Sequence, residues 1–239
     1  MLFRSIGSEL TMRKLRSLVA AGLLGLVPVV HAYDIIGEAT APDTGDFLYR
    51  EGHRCTSDGT SCLVSYYDRE GNSFASKRID YTRSLTAPNL EFKDTRLDVR
   101  VVVDEKATTD IVIDAGFDNY VRENWTVLAA GDELRFRFLA AGRPSPLRMS
   151  ARRDLRQNCP DTQLCLNIAL DSLLFGFFVD PIKLAYDRST RRLLRYRGLS
   201  DIKDVSGAAL DVDIVYTYNE FSRTDQISLE TRPATPARF

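Results

Sequence analysis

The residues of this 239-residue chain whose types and spacing bear on chemistry are few: four cysteines, one histidine beyond residue 32, two runs of recurring aspartates and two arginine clusters. The cysteines suit bridging better than catalysis. Cys55 and Cys62 bracket the turn-rich stretch from Thr56 to Ser61, and Cys159 and Cys165 bracket Pro160 to Leu164. The spacing predicts two local disulfides, Cys55 with Cys62 and Cys159 with Cys165, each contributing about 2 kcal/mol through loop closure. A four-cysteine zinc site would want gaps of roughly two to four residues, which neither pair has. His53 is the one histidine around which a Ser-His-Asp or Cys-His system would have to be built, and no G-x-S-x-G stands in the chain. A structural or surface role at the end of a strand is expected for it, and no catalytic residue is assigned.

Asp110, Asp114 and Asp118 recur at intervals of four, and Asp211 and Asp213 at two, a pattern that paired acids or a calcium site would use. The first set spans a strand-to-helix change, the second lies on the solvent face of a strand, and no glycine-centred loop follows either. Structural carboxylates are expected, with no metal. The lack of G-x-G-x-x-G and G-x-x-x-x-G-K-[ST] removes the usual nucleotide cradles, so no cofactor is expected. Arg148, Arg152, Arg153 and Arg156 form one basic cluster, and Arg188, Arg191, Arg192, Arg195 and Arg197 another. They could meet an anionic lipid or polysaccharide, but Asp154, Asp187, Asp201 and Asp204 nearby favour a solvated, charge-balanced hairpin face.

The elements that must position these residues begin after an address. Met12, Arg13, Lys14 and Arg16, the apolar run Leu18 to Val30, and Val30-His31-Ala32 follow the order of a secretory signal peptide, with cleavage before Tyr33 and Met12 as the expected true start. The apolar run is shorter than the ~20 residues of a membrane span, so an integral membrane protein is not expected. Removal of residues 1–32 leaves 28 basic and 32 acidic residues, mildly acidic and ill-suited to nucleic acid. The remainder could bury roughly 70% of the surface its unfolded chain exposes, enough for one core. One β-rich domain is expected over 33–222, followed by a flexible tail over 223–239.

Period-two alternation dominates that domain. Leu97, Val99, Val101 and Val103 share a face, as do Leu134, Phe136 and Phe138, and again Leu210, Val212, Ile214, Tyr216 and Tyr218. With strands also over 33–41, 46–54, 62–68, 73–82, 146–154, 163–169, 182–187 and 192–198, about eleven are expected. Short turns such as Ser57-Asp58-Gly59 join antiparallel neighbours. The expected fold is a single curved antiparallel sheet or partly open barrel with one or two helices packed against it. Phe117, Val121, Trp125 and Leu128 at helical spacing, closed by Gly131, predict a helix over 117–130. Leu173 to Val179 runs seven residues without a charge and predicts a second, all-apolar helix. Its Leu173, Phe175, Phe177 and Phe178, with Trp125, are the candidate ligand-binding residues, as a plug in the concave sheet or as the mouth of a cavity.

Several stretches resemble a family of exported, periplasmic proteins of Gram-negative bacteria known mainly as uncharacterised. They are Gly37-Glu38-Ala39 with Thr44-Gly45-x-x-Leu48-Tyr49-x-Glu51-x-His53, then Phe117-Asp118-x-x-Val121-Arg122-x-x-Trp125 and Gly131-Asp132-Glu133-Leu134-x-Phe136-x-Phe138. Asp180-Pro181-Ile182-x-Leu184-x-Tyr186-Asp187 through Arg192-Leu193-Leu194-x-Tyr196-x-Gly198-Leu199-Ser200 completes the pattern. The resemblance implies a periplasmic location and carries no catalytic residues. The strand order is also similar to the half-open sheets of periplasmic lipoprotein carriers, by analogy of fold alone. The expected function is a non-catalytic binding or carrier protein for an apolar or amphipathic, lipid-like ligand. The alternatives are an envelope structural or assembly protein acting through protein partners, and a hydrolase using carboxylates.

Overall fold

The computed structural model describes residues 34–104, 111–155, 159–171 and 180–219. The expected signal peptide, the tail over 223–239, Asp110, Arg156 and the segment holding Leu173, Phe175, Phe177 and Phe178 lie outside the described residues. The alternating segments form β1 (Ile35–Thr40), β2 (Phe47–Cys55), β3 (Ser61–Tyr67), β4 (Ser73–Asp80), β5 (Asn89–Asp94), β6 (Val99–Val103), β7 (Ile111–Ile113), β8 (Leu134–Leu139), β9 (Leu147–Arg153), β10 (Gln163–Leu170), β11 (Ile182–Asp187), β12 (Leu193–Lys203) and β13 (Ala209–Tyr218). They make one open, curved sheet in the order β6-β5-β4-β3-β2-β1-β13-β12-β11-β10-β9-β8-β7. Two meanders thus meet where the first strand pairs with the last, and no barrel closes.

This is the mainly β, curved sheet that the alternation predicts, with differences that have physical causes. β5 lay unread because its inward positions are Leu90, Phe92 and Asp94, and the buried Asp94 interrupts the apolar alternation. Arg96 satisfies it, donating from Nε at 3.1 Å and Nη2 at 2.7 Å. β7 is three apolar residues, too short to display a period. It pairs with β8 in parallel, whereas an all-antiparallel sheet is expected from the sequence. A parallel neighbour needs a helical crossover, and the segment that supplies it is the helix the sequence predicts, opened by a 3-10 turn at Asp114–Gly116.

That helix is broken. α1 (Phe117–Glu123) and α2 (Trp125–Ala130) meet at Asn124, whose side-chain amide donates to the Tyr120 carbonyl at 2.9 Å and leaves the residue outside helical geometry. The apolar stripe survives the break, because Val121, Trp125 and Leu128 all remain buried. Gly131 closes α2 in the left-handed conformation, φ 100°, as its position predicts.

Both disulfides form as the spacing predicts, Cys55 to Cys62 and Cys159 to Cys165. They fit an oxidising compartment. Cys55 and Cys62 stand directly opposite one another in the β2–β3 ladder, so the bridge closes a five-residue turn already organised by Asp58, which accepts from Thr56 and Thr60. Changing both Cys55 and Cys62 to alanine is expected to cost about 2 kcal/mol in urea denaturation without altering the far-ultraviolet spectrum. A loss of the folded baseline would mean the bridge holds more than its own turn.

Alternation sends Tyr49, Glu51 and His53 of β2 to the concave face together with Tyr66, Lys77, Phe92, Leu184, Tyr186, Tyr196, Ile214 and Tyr216. The core on this face is in two parts. One is built on β1–β6 with Val212, Ile214 and Ile202, and the other on the helices with β9, β10 and β11. The β4–β5 connection curls onto the crossover, where Ile113 N donates to the Thr86 carbonyl at 2.9 Å and the Asn119 side chain to the Leu85 carbonyl at 3.0 Å. The two halves of the sheet are held together there.

Candidate functional site

Beside the two apolar clusters runs a polar seam, whose members sit at inward positions of alternating strands, on the crossover or, for Asp201, in the irregular stretch of β12 between Leu199 and Lys203. Glu51 is buried on β2. Across the ladder it faces Gly37 of β1, and Gly37 faces Tyr216 of β13. A β-carbon at Gly37 would stand 2.8 Å from both Glu51 Cγ and Tyr216 Cε1, so the missing side chain lets two strands that are not neighbours join over β1. The Tyr216 hydroxyl hydrogen-bonds the Glu51 carboxylate, and His53 Nε2 lies 3.0 Å from Glu51 Oε1. Since a carboxylate accepts only, the Nε2 hydrogen points at Glu51. Burial pushes the Glu51 carboxyl upward, but the His53 bond and charge, the Tyr216 hydroxyl and Lys77 outweigh it and hold the group below its ordinary value.

The second part of the seam joins three distant segments. Lys77 Nζ of β4 lies 2.7 Å from Asp114 Oδ1, at the start of the crossover, and 2.5 Å from Asp201 Oδ2 of β12. Asp114 Oδ2 also accepts from Ala141 N at 3.1 Å. Burial opposes the lysine charge, but the two carboxylates hold it well above its ordinary value. Burial and the Asp201 charge together raise Asp114 to about 6 against the pull of Lys77, while Asp201 is lowered, burial notwithstanding, by the ammonium and by a bond to Asp114. Asp201 keeps 37% of its side chain accessible, so the triad runs from the interior to the surface. Tyr49, Tyr66 and Tyr196 line the same region, Tyr49 bonding Ser200 Oγ at 2.8 Å and stacking edge-on against Tyr66 at 5.9 Å.

Two acids of unlike proton affinity are the chemistry a carboxylate hydrolase would need. Here one ammonium occupies both, and Asp114 has 5% of its side chain accessible. The triad acts as an ionic lock between β4, β12 and the crossover. Of the aspartate sets read from the sequence, Asp114 and Asp118 fall in the interior and act separately. Asp213, expected on a wet face, is on the convex side but buried under Arg195, whose guanidinium donates to both its oxygens at 2.6 and 2.5 Å. No group of three metal-ligating side chains occurs among the described residues.

The third part lies under the helices. Asp118 pairs with Arg122 one turn on at 2.5 Å, while its Oδ1 is buried, with Tyr186 as its one described polar neighbour. The hydroxyl of Tyr186 is likewise buried, on a residue with no exposed surface. The two act on one another, since burial, the Asp118 charge and a hydrogen bond between the two side chains all raise the Tyr186 hydroxyl. Trp125, a candidate ligand residue, packs its ring edge-on against Tyr186 at 6.0 Å with the Arg191 guanidinium 5.4 Å from its centroid. It is buried, a wall of the second cluster and not an open surface. Two shallow depressions, of about 450 and 210 Å³, are on the convex side.

No protein-family model matches this chain, and neither does any curated protein. No helix among the described residues is long and apolar enough to cross a membrane.

Proposed function

We propose that the protein is a non-catalytic binding or carrier protein of the bacterial periplasm, related to the exported family that its motifs resemble, and that its ligand is amphipathic. The observation that carries this reading is the buried polar pair Tyr186 Oη and Asp118 Oδ1, which have no described partner but one another, beneath the helices at the second apolar cluster. A buried carboxylate oxygen and hydroxyl that have only one another keep unused accepting capacity, which folded proteins rarely leave dry. A ligand with one hydrogen-bonding head and an apolar body would fill that capacity and lie along the second cluster. A wholly apolar ligand would not, which narrows the class.

The test is Tyr186→Phe, with mass spectrometry of small molecules extracted from protein purified out of the periplasm. The wild type is expected to carry an amphipathic molecule and the variant to lose about nine-tenths of it while staying folded. Empty wild-type protein, together with a variant more stable by about 1 kcal/mol, would identify the hydroxyl as an uncompensated structural cost and end the carrier reading.

A further inference from the structure

The two arginine clusters of the sequence are re-sorted by the sheet. Arg153 turns to the concave side, while Arg148 and Arg152 of β9 share the convex face with Arg135 and Arg137 of β8, Lys183 of β11 and Arg195 and Arg197 of β12. One rung of the ladder reads Arg152, Asn167, Lys183, Arg197, Asp213 across five strands. Lys183 and Arg197 are direct cross-strand neighbours, an arrangement that repels and is normally avoided. The carboxylate at the end of the rung, Asp213, is taken by Arg195. Among the described residues Lys183, Arg197, Arg148 and Arg152 form no ion pair. Between Lys183, Arg195 and Arg197 lies a shallow depression of about 210 Å³.

We propose that this convex face docks on a lipid bilayer whose headgroups carry anionic phosphate. Three features select a bilayer over a linear polyanion. The cations lie on four strands, β8, β9, β11 and β12, that span about 19 Å at the usual inter-strand spacing, so they meet several headgroups at once. The face is the outer side of a curved sheet, with no groove to guide a chain. Leu199 and Val215 stand on the same face beside the cations, 51% and 55% exposed, apolar side chains suited to the boundary between headgroups and acyl chains.

Co-sedimentation of the mature protein with vesicles tests this, comparing phosphatidylcholine alone with phosphatidylcholine containing roughly a third phosphatidylglycerol. Binding is expected only to the anionic vesicles, and to fall away as salt is raised to about 1 M. The double variant Lys183→Gln/Arg197→Gln should bind about tenfold or more weakly at unchanged melting temperature. Arg78→Gln/Arg100→Gln is the control, because both arginines lie on the same convex sheet but share Glu91, at 3.7 and 2.6 Å. Equal binding to neutral vesicles, indifference to salt, or an equal loss in the control pair would each overturn the proposal. So would capture by dextran sulfate without capture by anionic vesicles, which would assign the face to a linear polyanion.

Discussion

Lys77→Met is expected to lose about 3 to 5 kcal/mol of stability at neutral pH, and to recover part of it on mild acidification. The methionine fills the volume of the lysine stem, so packing against Phe92 changes little. What changes is that Asp114 and Asp201 remain facing one another without the ammonium that lies within 2.7 Å of both. Removing one partner of a buried ion group is costly because the other is left charged and dry. The pH dependence follows from the direction of each shift. Asp114 is raised in the folded state, so the stability it contributes is fully present below its ordinary value of 3.8 and is lost as pH rises through about 6. Without Lys77, the strongest influence opposing that rise is gone, so the window extends upward and the variant should gain stability between pH 8 and pH 5. Below that range the lowered Glu51 and Asp201 act oppositely in the wild type: their contributions are present above their ordinary values and are lost as pH falls through their folded ones. Urea denaturation at three pH values measures both effects. A Lys77→Met protein as stable as the wild type at neutral pH would show that water already carries these charges. Adding Asp114→Asn to Lys77→Met should restore more than half of the loss.

The residues of the seam were visible in the sequence as inward charges, a sign that the alternation carries but that apolar counting passes over. Tyr49, Glu51 and His53 occupy successive inward positions of one strand, and Lys77 sits between Ala75 and Ile79 on the buried face of β4. An acid and a lysine where the period demands apolar side chains mark either an error of register or a partner elsewhere. The partners could not be named, because they come from far away: Lys77 to Asp114 spans 37 residues and Lys77 to Asp201 spans 124. Only the order of strands brings them together, and that order depends on β1 pairing with β13 and on the parallel edge strand that three residues hide. Local features were readable for the opposite reason. The disulfides, the Gly131 cap and the apolar stripe of the helices all lie within a few residues of the signals that announce them. The cationic face was divided between two runs of sequence, and neither run shows which of its arginines look outward until the register is known.

Gly116→Ala should destabilise the protein by about 3 kcal/mol or more, although its backbone, φ −71°, suits any residue. The obstacle is contact. A β-carbon there would stand 2.1 Å from the Thr86 carbonyl oxygen, 2.4 Å from its carbon and 2.8 Å from Pro88 Cδ. Two of these are backbone atoms, so no rotamer change relieves them, and the β4–β5 connection must move off the crossover. Overpacking of this kind usually costs about 1 to 3 kcal/mol. Here the displaced contact also carries the Ile113 to Thr86 hydrogen bond and the Tyr81 hydroxyl bond to the Ala115 carbonyl. Two residues earlier stands Asp114, so the same movement stretches the lock with Lys77. Gly116→Ala and Lys77→Met therefore break one closure from its two sides. Their double variant should lose less than the sum of the single losses, by more than about 1 kcal/mol, because a contact already opened cannot be opened again. Chemical denaturation of the four proteins completes the cycle. Strict additivity would mean that the 81–88 connection and the ionic lock hold the sheet independently, and that the curl of β4 onto the crossover is fixed by the apolar cluster alone.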